Sequence, residues 1–379
     1  MNKARLRVPG PTEVPERVLS KMAFPMINHR GDEFRNLYLK VCSEIKYVFQ
    51  TENDVLIFPS AGTGVMEAAI SNFFSPGDIV VSFQCGVFGE RFAEIAKAYG
   101  ANVEVIKAEY GMPITKEMVR DRIKKDKNYE IKGILFTQNE TSTGVLNDIK
   151  ALKEAVGDHP ALIIVDAISS LGAVELKTDE WGIDVVVSSS QKAFMLPPGL
   201  GFISISEKAW KAYEYSKMPK YYFDIKKAKN TLQKGETPYT PFVSLIYALE
   251  ESLKIIKEEG LENIIRKHKK ISEALRAGIK AIKLKPFVKD DYASPTVTAV
   301  EIPEEYKDLT KTLKNKFNIT VAGGQGSLKG KIMRIGHLGY VDFLDIIAVI
   351  SALEMAIGDE KLFGKGIKAA EKKYLEGGI

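Results

Sequence analysis

The stretch "IDVVVSSSQKAFMLPPGLGF" (183–202) decides how the chain folds. Three valines run into three serines, then a glutamine and a single lysine, Lys192, before a Pro-Pro-Gly turn and a second apolar run. A continuous run of β-branched residues is typical of a strand buried on both faces. The pattern therefore predicts a lysine at the end of a buried strand, where a solvated surface role does not explain it.

The region around this stretch alternates short apolar runs with helical patterns. The predicted strands share a mostly continuous, β-rich apolar character and cover 54–60, 78–83, 102–107, 133–138, 161–167, 184–190 and 200–206. Helical patterns lie between them, for example at 64–74 and 88–100. This β-α-β-α order predicts an α/β domain with a mostly parallel, doubly wound sheet. Such sheets bind ligands at the carboxyl ends of their strands.

The texture of the sequence changes after about residue 245. A long Lys- and Glu-rich helical stretch runs from about 243 to 284, and a final helical pattern begins near Phe343. Short β-rich runs lie between them at 296–302, 318–324 and 331–336. We therefore predict a large domain over 15–245 and a smaller C-terminal α+β domain over 246–379. We assign residues 1–14 to the small domain, although the first 20 residues can also cross to the large one.

Composition excludes several classes of protein. The chain has 379 residues, 45% of them hydrophobic, and a net charge of +5, which is too small and too dispersed to indicate nucleic-acid binding. No apolar run is long enough to span a bilayer, and the N-terminus has no signal-peptide pattern. Two cysteines and four scattered histidines indicate neither a disulfide framework nor a metal site. We expect a cytoplasmic protein without metal, nucleic-acid or membrane partners.

Two motifs at predicted strand ends could bind charged groups. "SAGTGVMEAA" (60–69) is a glycine-rich turn into a helix, where Gly62 and Gly64 let backbone N–H groups approach an anion. It lacks the third glycine of a dinucleotide fingerprint and the lysine of a P-loop, and a simple strand-to-helix turn also explains it. "IIVDAISSLG" (163–172) places Asp166 at the end of an apolar run, where a buried carboxylate needs a cation or several donors. A helix N-cap is the alternative interpretation.

Two further motifs follow other predicted strands. "TQNETSTGV" (137–145) is a polar turn that offers the hydroxyl of Thr141, and helix capping is its alternative role. "GVFGERF" (86–92) places Phe88 between glycines at the start of a helix. An aromatic residue there is usually part of the core, but a flat ring on a loop can also stack on a flat cofactor.

The combination of these groups indicates one chemistry. A lysine amine can form a Schiff base with an aldehyde, and an aspartate can keep a pyridinium nitrogen protonated so that the ring accepts electrons. A glycine-rich helix start can hold a phosphate, and an aromatic ring can cover the cofactor. Together these groups predict a site for pyridoxal 5′-phosphate.

With these residues in view, the chain resembles the class V, fold-type I aminotransferases, and most closely their alanine–glyoxylate/serine–pyruvate branch. The resemblance extends from "VPGPTEVP" (8–15) to "MRIGHLG" (333–339). Its most specific part is "SSSQK" followed by "PPGLGF", with "VDAISSLG", "ETSTGV" and "GVFGERF" in the expected order.

The resemblance implies a role for each matching residue. Lys192 forms the internal aldimine and then shuttles a proton, while Asp166 pairs with the ring nitrogen of the cofactor. Arg334 grips the substrate carboxylate, since its planar fork donates two hydrogen bonds, and Gly10 lines the substrate pocket. The other implied cofactor contacts are Ile168 and Phe88 on the two ring faces, Thr141 near the phenolic oxygen, Gly62, Thr63 and Gln191 at the phosphate, and Thr237 or Thr240 from a partner subunit.

We therefore expect a homodimeric aminotransferase that moves an amino group from alanine or serine to glyoxylate or pyruvate. The alternative is a lyase of the same superfamily, such as a cysteine desulfurase, which needs a nucleophilic cysteine late in the chain. No cysteine follows Cys85. A dinucleotide-dependent dehydrogenase needs a G-x-G-x-x-G motif after the first strand, and none is present. A pure scaffold does not need the Lys, Asp and Arg set.

Overall fold

The structure is a computed structural model that describes residues 3–376. Its strands, in chain order, are β1 (Arg5–Arg7), β2 (Asp54–Ser60), β3 (Ile79–Gln84), β4 (Asn102–Lys107), β5 (Ile131–Thr137), β6 (Asn139–Glu140), β7 (Val145–Leu146), β8 (Leu162–Asp166), β9 (Val185–Ser189), β10 (Gly199–Ile205), β11 (Val297–Glu301), β12 (Ile319–Gly323) and β13 (Ile332–Gly336).

The α-helices follow the same order along the chain. They are α1 (Glu16–Met22), α2 (Asp32–Phe49), α3 (Gly62–Phe73), α4 (Val87–Ala98), α5 (Lys116–Ile123), α6 (Ile149–Val156), α7 (Glu207–Tyr213), α8 (Ile225–Leu232), α9 (Val243–Glu259), α10 (Leu261–Ala281), α11 (Leu309–Phe317), α12 (Phe343–Ile357) and α13 (Lys365–Glu376).

The large sheet contains all seven strands predicted between 54 and 206, each within two residues of its predicted bounds. Its order is β2-β10-β9-β8-β5-β3-β4, and only β10 runs antiparallel to its neighbours. The predicted mostly parallel α/β fold is therefore confirmed. The carboxyl ends of β3, β5, β8 and β9 meet at one edge of this sheet, where parallel sheets bind their ligands.

Both faces of the large sheet are buried, which explains the continuous apolar runs. In β8, for example, Ile163 and Val165 pack into one apolar cluster, whereas Leu162 and Ile164 pack into the other cluster across the sheet. Successive side chains of a strand point to opposite faces. A strand covered by helices on both sides therefore needs apolar residues at every position.

The prediction of one continuous helical stretch near the C-terminal part of the chain was wrong. The stretch predicted as helical from about 243 to 284 forms two helices, α9 and α10, that are separated by Gly260. Gly260 has a φ of +83°, and its N–H still donates to the carbonyl oxygen of Ile256 in the last turn of α9. The left-handed backbone at this residue ends one helix and redirects the chain into the next.

A second sheet holds the C-terminal strands in the order β1-β12-β13-β11. Its first strand comes from the N-terminus, since Arg5, Leu6 and Arg7 pair in parallel with β12. The chain then crosses to the large sheet, where the N–H of Thr12 donates to the carbonyl oxygen of Gln191 at 3.2 Å. The domain boundary at 245/246 stays a prediction, and residues 1, 2 and 377–379 of the predicted small domain lie outside the described residues.

No helix within residues 3–376 combines the length and the apolar character that crossing a bilayer requires. In the same part of the chain, no group of three or more His, Cys, Asp or Glu side chains is arranged to hold a metal ion.

The crossing segment fits closely against the end of β13, which gives a first prediction. A Cβ on Gly336 would overlap the backbone of Val8 and would lie 2.7 Å from the nitrogen of Pro9. Because backbone atoms cannot move aside cheaply, we expect Gly336→Ala to lower the free energy of unfolding by about 1–3 kcal/mol in denaturant titrations. Gly323→Ala is the matched control in the same sheet, since a Cβ there meets nothing within 4 Å. Equal losses in both variants would contradict the close packing.

Candidate active site

Lys192 lies just beyond β9, at the ligand-binding edge of the large sheet. Its Nζ donates a hydrogen bond to the carbonyl oxygen of Pro9 at 2.7 Å. Burial lowers the pKa of Lys192 to about 8; the negative charge of Asp166 opposes this shift, and the positive charges of Arg334 and Arg91 add to it. The amine is therefore neutral in a larger fraction of molecules near pH 8 than an ordinary lysine is.

Gly10 packs directly against this amine. Its φ is +149°, and a Cβ there would overlap Nζ of Lys192 and would lie 2.7 Å from Cε of the same side chain. Only a residue without a side chain lets the N-terminal segment pass so close to the lysine. The predicted pocket residue Gly10 is therefore adjacent to Lys192.

Asp166 is the last residue of the neighbouring strand β8 and is only 3% exposed. Its Oδ1 accepts a hydrogen bond from the N–H of Ile168 at 2.9 Å, which is the one hydrogen bond to this carboxylate within residues 3–376. Burial and the charge of Glu140 raise the pKa of Asp166 to about 7, against the lowering effects of the hydrogen bond from Ile168 and of the charge of Lys192. A carboxylate with so few donors suits a cationic ligand such as a protonated ring nitrogen.

The start of α3 lies beside Ile168. A Cβ on Gly62 would come within 2.6 Å of Cδ1 of Ile168, so the missing side chain lets the two segments pack together. Thr63 is exposed. The N-cap residue of this helix is Ala61, whose side chain makes no hydrogen bond to the first N–H groups. Oε1 of Gln191 is buried without a hydrogen-bond partner among the described residues, and a half-turn of its amide presents NH₂ donors instead. This arrangement fits a phosphate.

Phe88 is the second residue of α4 and is half-buried. The guanidinium carbon of Arg91, one helical turn later, lies 4.9 Å from the centroid of the Phe88 ring. The N–H of Phe88 donates to both carboxylate oxygens of Glu140, at 3.1 and 3.3 Å. The backbone of Phe88 is therefore held by Glu140, and the guanidinium group of Arg91 makes a cation–π contact with the Phe88 ring.

Arg334, in the middle of β13, comes from the smaller sheet and is 6% exposed. Its Nε donates to the carbonyl oxygen of Gly323 at 2.8 Å, and its Nη1 donates to the carbonyl oxygen of Thr141 at 3.1 Å. Burial lowers the pKa of Arg334, and the charge of Glu140 opposes that shift. Since no carboxylate forms an ion pair with Arg334 within residues 3–376, its remaining N–H groups suit a ligand carboxylate.

Thr141 lies between Arg334 and the end of β8, because its hydroxyl is 2.6 Å from the hydroxyl of Ser169. The two threonines expected from a partner subunit differ in exposure. Thr237 is buried, and its hydroxyl donates to the carbonyl oxygen of Tyr239 at 2.6 Å, whereas Thr240 is exposed. Of these two threonines, therefore, only Thr240 has a hydroxyl open to a neighbour.

Sequence reasoning missed three contributors to this site: Arg91, Glu140 and the carbonyl oxygen of Pro9. Arg91 could have been found from its spacing, since a residue three positions after Phe88 lies on the same helix face. Glu140 directly precedes Thr141 in a turn that was considered only for its hydroxyl groups. A backbone carbonyl has no signature in the sequence, and only the path of the N-terminal segment reveals it.

The site combines a buried amine, a carboxylate with few hydrogen-bond donors, an uncapped helix N-terminus and an arginine without a carboxylate partner among the described residues. These groups suit a phosphorylated aldehyde cofactor and an amino or keto acid. The residues present fit pyridoxal 5′-phosphate. The family described as "Aminotransferase class-V" matches residues 8–341. The chain therefore belongs to the class-V aminotransferase family, as the resemblance predicts.

Similar proteins in this family include well-matched full-length relatives. The chain is 45% identical to the soluble hydrogenase 42 kDa subunit of Anabaena cylindrica, over 98% of this chain and 99% of that protein. It is 37% identical to the serine–glyoxylate aminotransferase of Methylorubrum extorquens, over 98% of this chain and 96% of that protein. The crystal structure of an alanine–glyoxylate aminotransferase from Nostoc sp. superposes with a TM-score of 0.89 at 32% identity, over 94% and 96% of the two chains.

These comparisons support an aminotransferase over the lyase alternative. The chemistry of the two cysteines, Cys42 and Cys85, agrees with them, since both are buried. Burial and the charge of Glu140 together raise the pKa of the Cys85 thiol to about 12, against the lowering effect of a hydrogen bond from Asn147. A thiol that stays protonated is a poor nucleophile.

The lowered pKa of Lys192 gives a second prediction. Only the neutral amine reacts with an acetylating reagent. The rate of acetylation of Lys192 in the cofactor-free protein should therefore rise with pH up to about 8 and then level off. The rate for surface lysines should continue to rise up to about pH 10.5. Peptide-level mass spectrometry over a pH series measures both.

Two variants test the cause of this shift. Asp166→Asn removes a negative charge that favours the protonated amine, so the midpoint for Lys192 should fall. Arg334→Met removes a positive charge that disfavours it, so the midpoint should rise. A midpoint near 10.5 in the wild-type protein would show that the amine is fully solvated.

Proposed function

We propose that the protein is a pyridoxal 5′-phosphate-dependent aminotransferase that moves an amino group from alanine or serine to glyoxylate or pyruvate. The observation that carries this proposal is that Asp166 and Arg334 lie close enough to the buried Lys192 amine for both of their charges to shift its pKa. Family membership implies the cofactor, and the relatives named as serine–glyoxylate and alanine–glyoxylate aminotransferases support the substrate class.

When bound, pyridoxal phosphate supplies an aldehyde that captures the amino group and a ring that accepts electrons from the substrate α-carbon. The residues that would hold it lie on five segments at the same edge of the large sheet. They are Lys192 at the aldehyde carbon, Asp166 at the ring nitrogen, Phe88 and Ile168 on the ring faces, Thr141 near the phenolic oxygen, and Gly62, Thr63 and Gln191 at the phosphate.

Side chains and backbone groups of the protein then perform three tasks. Lys192 takes the proton from the substrate α-carbon and returns it, a role that suits an amine whose pKa is about 8. Arg334 binds the substrate carboxylate and so sets the direction of the Cα–H bond relative to the lysine. The carbonyl oxygen of Pro9 holds Nζ of Lys192 in place, and Gly10 leaves room for substrate beside it.

We further propose that the active unit is a cytoplasmic homodimer in which Thr240 of one subunit contacts the phosphate of the other. An exposed aromatic patch beside Thr240 supports an interface between two copies. Tyr239 stacks with Tyr221 and Tyr222, with ring centroids 5.7 and 5.4 Å apart, and Tyr221 is 70% exposed. Aromatic side chains that expose this much apolar area are typical of interfaces.

Arg334→Lys tests the substrate assignment. Lysine keeps the charge but loses the planar fork, so we expect kcat/KM for both the amino donor and the keto acceptor to fall about tenfold or more. Cofactor occupancy should stay normal. Steady-state kinetics with alanine, serine, glyoxylate and pyruvate, together with cofactor absorbance, measure these effects.

Arg276→Lys is the matched control for this prediction. Arg276 is also a buried arginine, 6% exposed, but its Nε pairs with Asp290 at 2.9 Å. This control should leave the KM values unchanged. If Arg334→Lys leaves both substrates unaffected as well, the carboxylate is bound elsewhere. If the wild-type protein transaminates none of the four substrates, the proposed function is wrong.

The shared site gives a complementation test. Thr240→Ala should weaken cofactor binding, whereas Thr237→Ala should leave it unchanged, because the Thr237 hydroxyl already donates within its own loop. Mixed dimers of Thr240→Ala and Lys192→Ala subunits should regain one intact site, which pairs the lysine of one subunit with the threonine of the other. Sedimentation and cofactor titration of the mixed dimers measure this. An active monomer, or no recovery in mixed dimers, would contradict the assembly.

A further inference from the structure

Glu140 is a fully buried carboxylate to which the proposed mechanism assigns no task. Its Oε2 accepts hydrogen bonds from the N–H groups of Phe88 and Gly89, both at 3.1 Å. Its Oε1 accepts from the N–H of Ser142 at 3.1 Å and from the hydroxyl of Ser142 at 2.6 Å. Glu140, the last residue of β6, therefore joins this strand to the first turn of α4.

The hydrogen bonds around Glu140 favour its ionised form. Burial raises the pKa of Glu140, and the hydrogen bonds from Ser142, Gly89 and Phe88 oppose that shift. The Ser142 hydroxyl accepts from the N–H of Val87 at 3.0 Å, so its own proton points to Glu140. Each of these contacts is a donor, and a carboxylic acid proton would find no acceptor among them. A negative charge also suits the N-terminal end of a helix.

The N-terminus of α4 depends on this carboxylate because its own N-cap residue has no side chain. Gly86 precedes the helix, and a Cβ at this position would overlap the side chains of Glu140 and Ser142. Glycine leaves the space in which Glu140 and Ser142 bind the N–H groups of Val87, Phe88 and Gly89. The N–H groups in the first turn of α4 are thus bound by residues of a distant segment rather than by the loop that precedes the helix.

The next residue, Thr141, contacts the arginine that is proposed to bind the substrate. The carbonyl oxygen of Thr141 accepts from Nη1 of Arg334 at 3.1 Å, and its hydroxyl contacts Ser169 at 2.6 Å. Two consecutive residues therefore hold Phe88 on one side and Arg334 on the other. A displacement of Glu140 would move both.

We propose that Glu140 is a positioning residue for the aminotransferase reaction. Its carboxylate fixes the start of α4 so that the Phe88 ring lies against the cofactor, and the peptide that follows it fixes Arg334 against the substrate carboxylate. This inference rests on the proposed function, in which Phe88 and Arg334 face the cofactor and the substrate. An ordinary helix cap would stabilise the fold without affecting either ligand.

Glu140→Gln tests the inference, because it keeps the side-chain volume but replaces one acceptor oxygen by an NH₂ group that faces N–H donors. Glu354→Gln is the matched control. Glu354 is also a buried glutamate, and it accepts the N–H groups of Gly364 and Gly366 at 2.9 and 2.7 Å, at the start of α13. Both variants lose a similar cap, but only one lies at the site.

We expect Glu140→Gln to raise the dissociation constant of pyridoxal phosphate about tenfold, the effect of one lost hydrogen bond to a charged group. The visible circular dichroism of the bound cofactor should weaken, because the ring is held less firmly, and KM for the amino donor should rise. Glu354→Gln should lower the melting temperature and leave cofactor affinity, circular dichroism and KM unchanged.

If Glu140→Gln lowers the melting temperature as the control does but keeps the cofactor affinity and circular dichroism of the wild type, Glu140 is only a cap and the inference is overturned. If Glu140→Gln does not fold, Ser142→Ala removes the hydroxyl between Val87 and Glu140, and an unchanged dissociation constant in that variant overturns the inference equally. A wild-type protein that binds no pyridoxal phosphate would instead overturn the proposed function, and this inference with it.

Discussion

The burial of the Lys192 amine is the constraint on which the rest of the structure depends. A buried amine needs a carboxylate and a hydrogen-bond acceptor nearby. Here the carboxylate is Asp166, on the strand beside β9, and the acceptor is the carbonyl oxygen of Pro9. Pro9 can reach Lys192 only because the N-terminus starts in the small sheet and then crosses to the large one. The two sheets are therefore tied together at the reactive group.

The large sheet could be predicted from sequence because each strand is an apolar run between turn residues. Strand β1 could not be predicted in the same way, since three residues that include two arginines carry no strand pattern. Its position depends on pairing with β12, more than 300 residues later. The break at Gly260 was also hidden, because charged residues on both sides continue the helical pattern.

The candidate site was predictable to the extent that its residues lie in short motifs at strand ends. Lys192 and Asp166 were found in this way, whereas Arg334, in the middle of β13, was found only through the family resemblance, and the roles of all three stay predictions. Glu140 was not found, because a glutamate in a polar turn looks like a solvated residue until its burial is known. The pattern of neighbouring residues does not reveal which oxygen atoms will receive the N–H groups of a distant helix.

If Arg334 binds the substrate carboxylate as proposed, it couples substrate binding to the basicity of Lys192. The positive charge of Arg334 lowers the pKa of the lysine amine, so a carboxylate bound to Arg334 offsets that charge and raises the pKa again. By linkage, a protonated Lys192 must in turn strengthen the binding of the carboxylate. In the cofactor-free protein, the amine is thus neutral most readily while Arg334 binds no carboxylate, and it holds a proton more firmly once a carboxylate is bound there. A residue that takes a proton from bound substrate benefits from this order, because its basicity rises at the step that needs it.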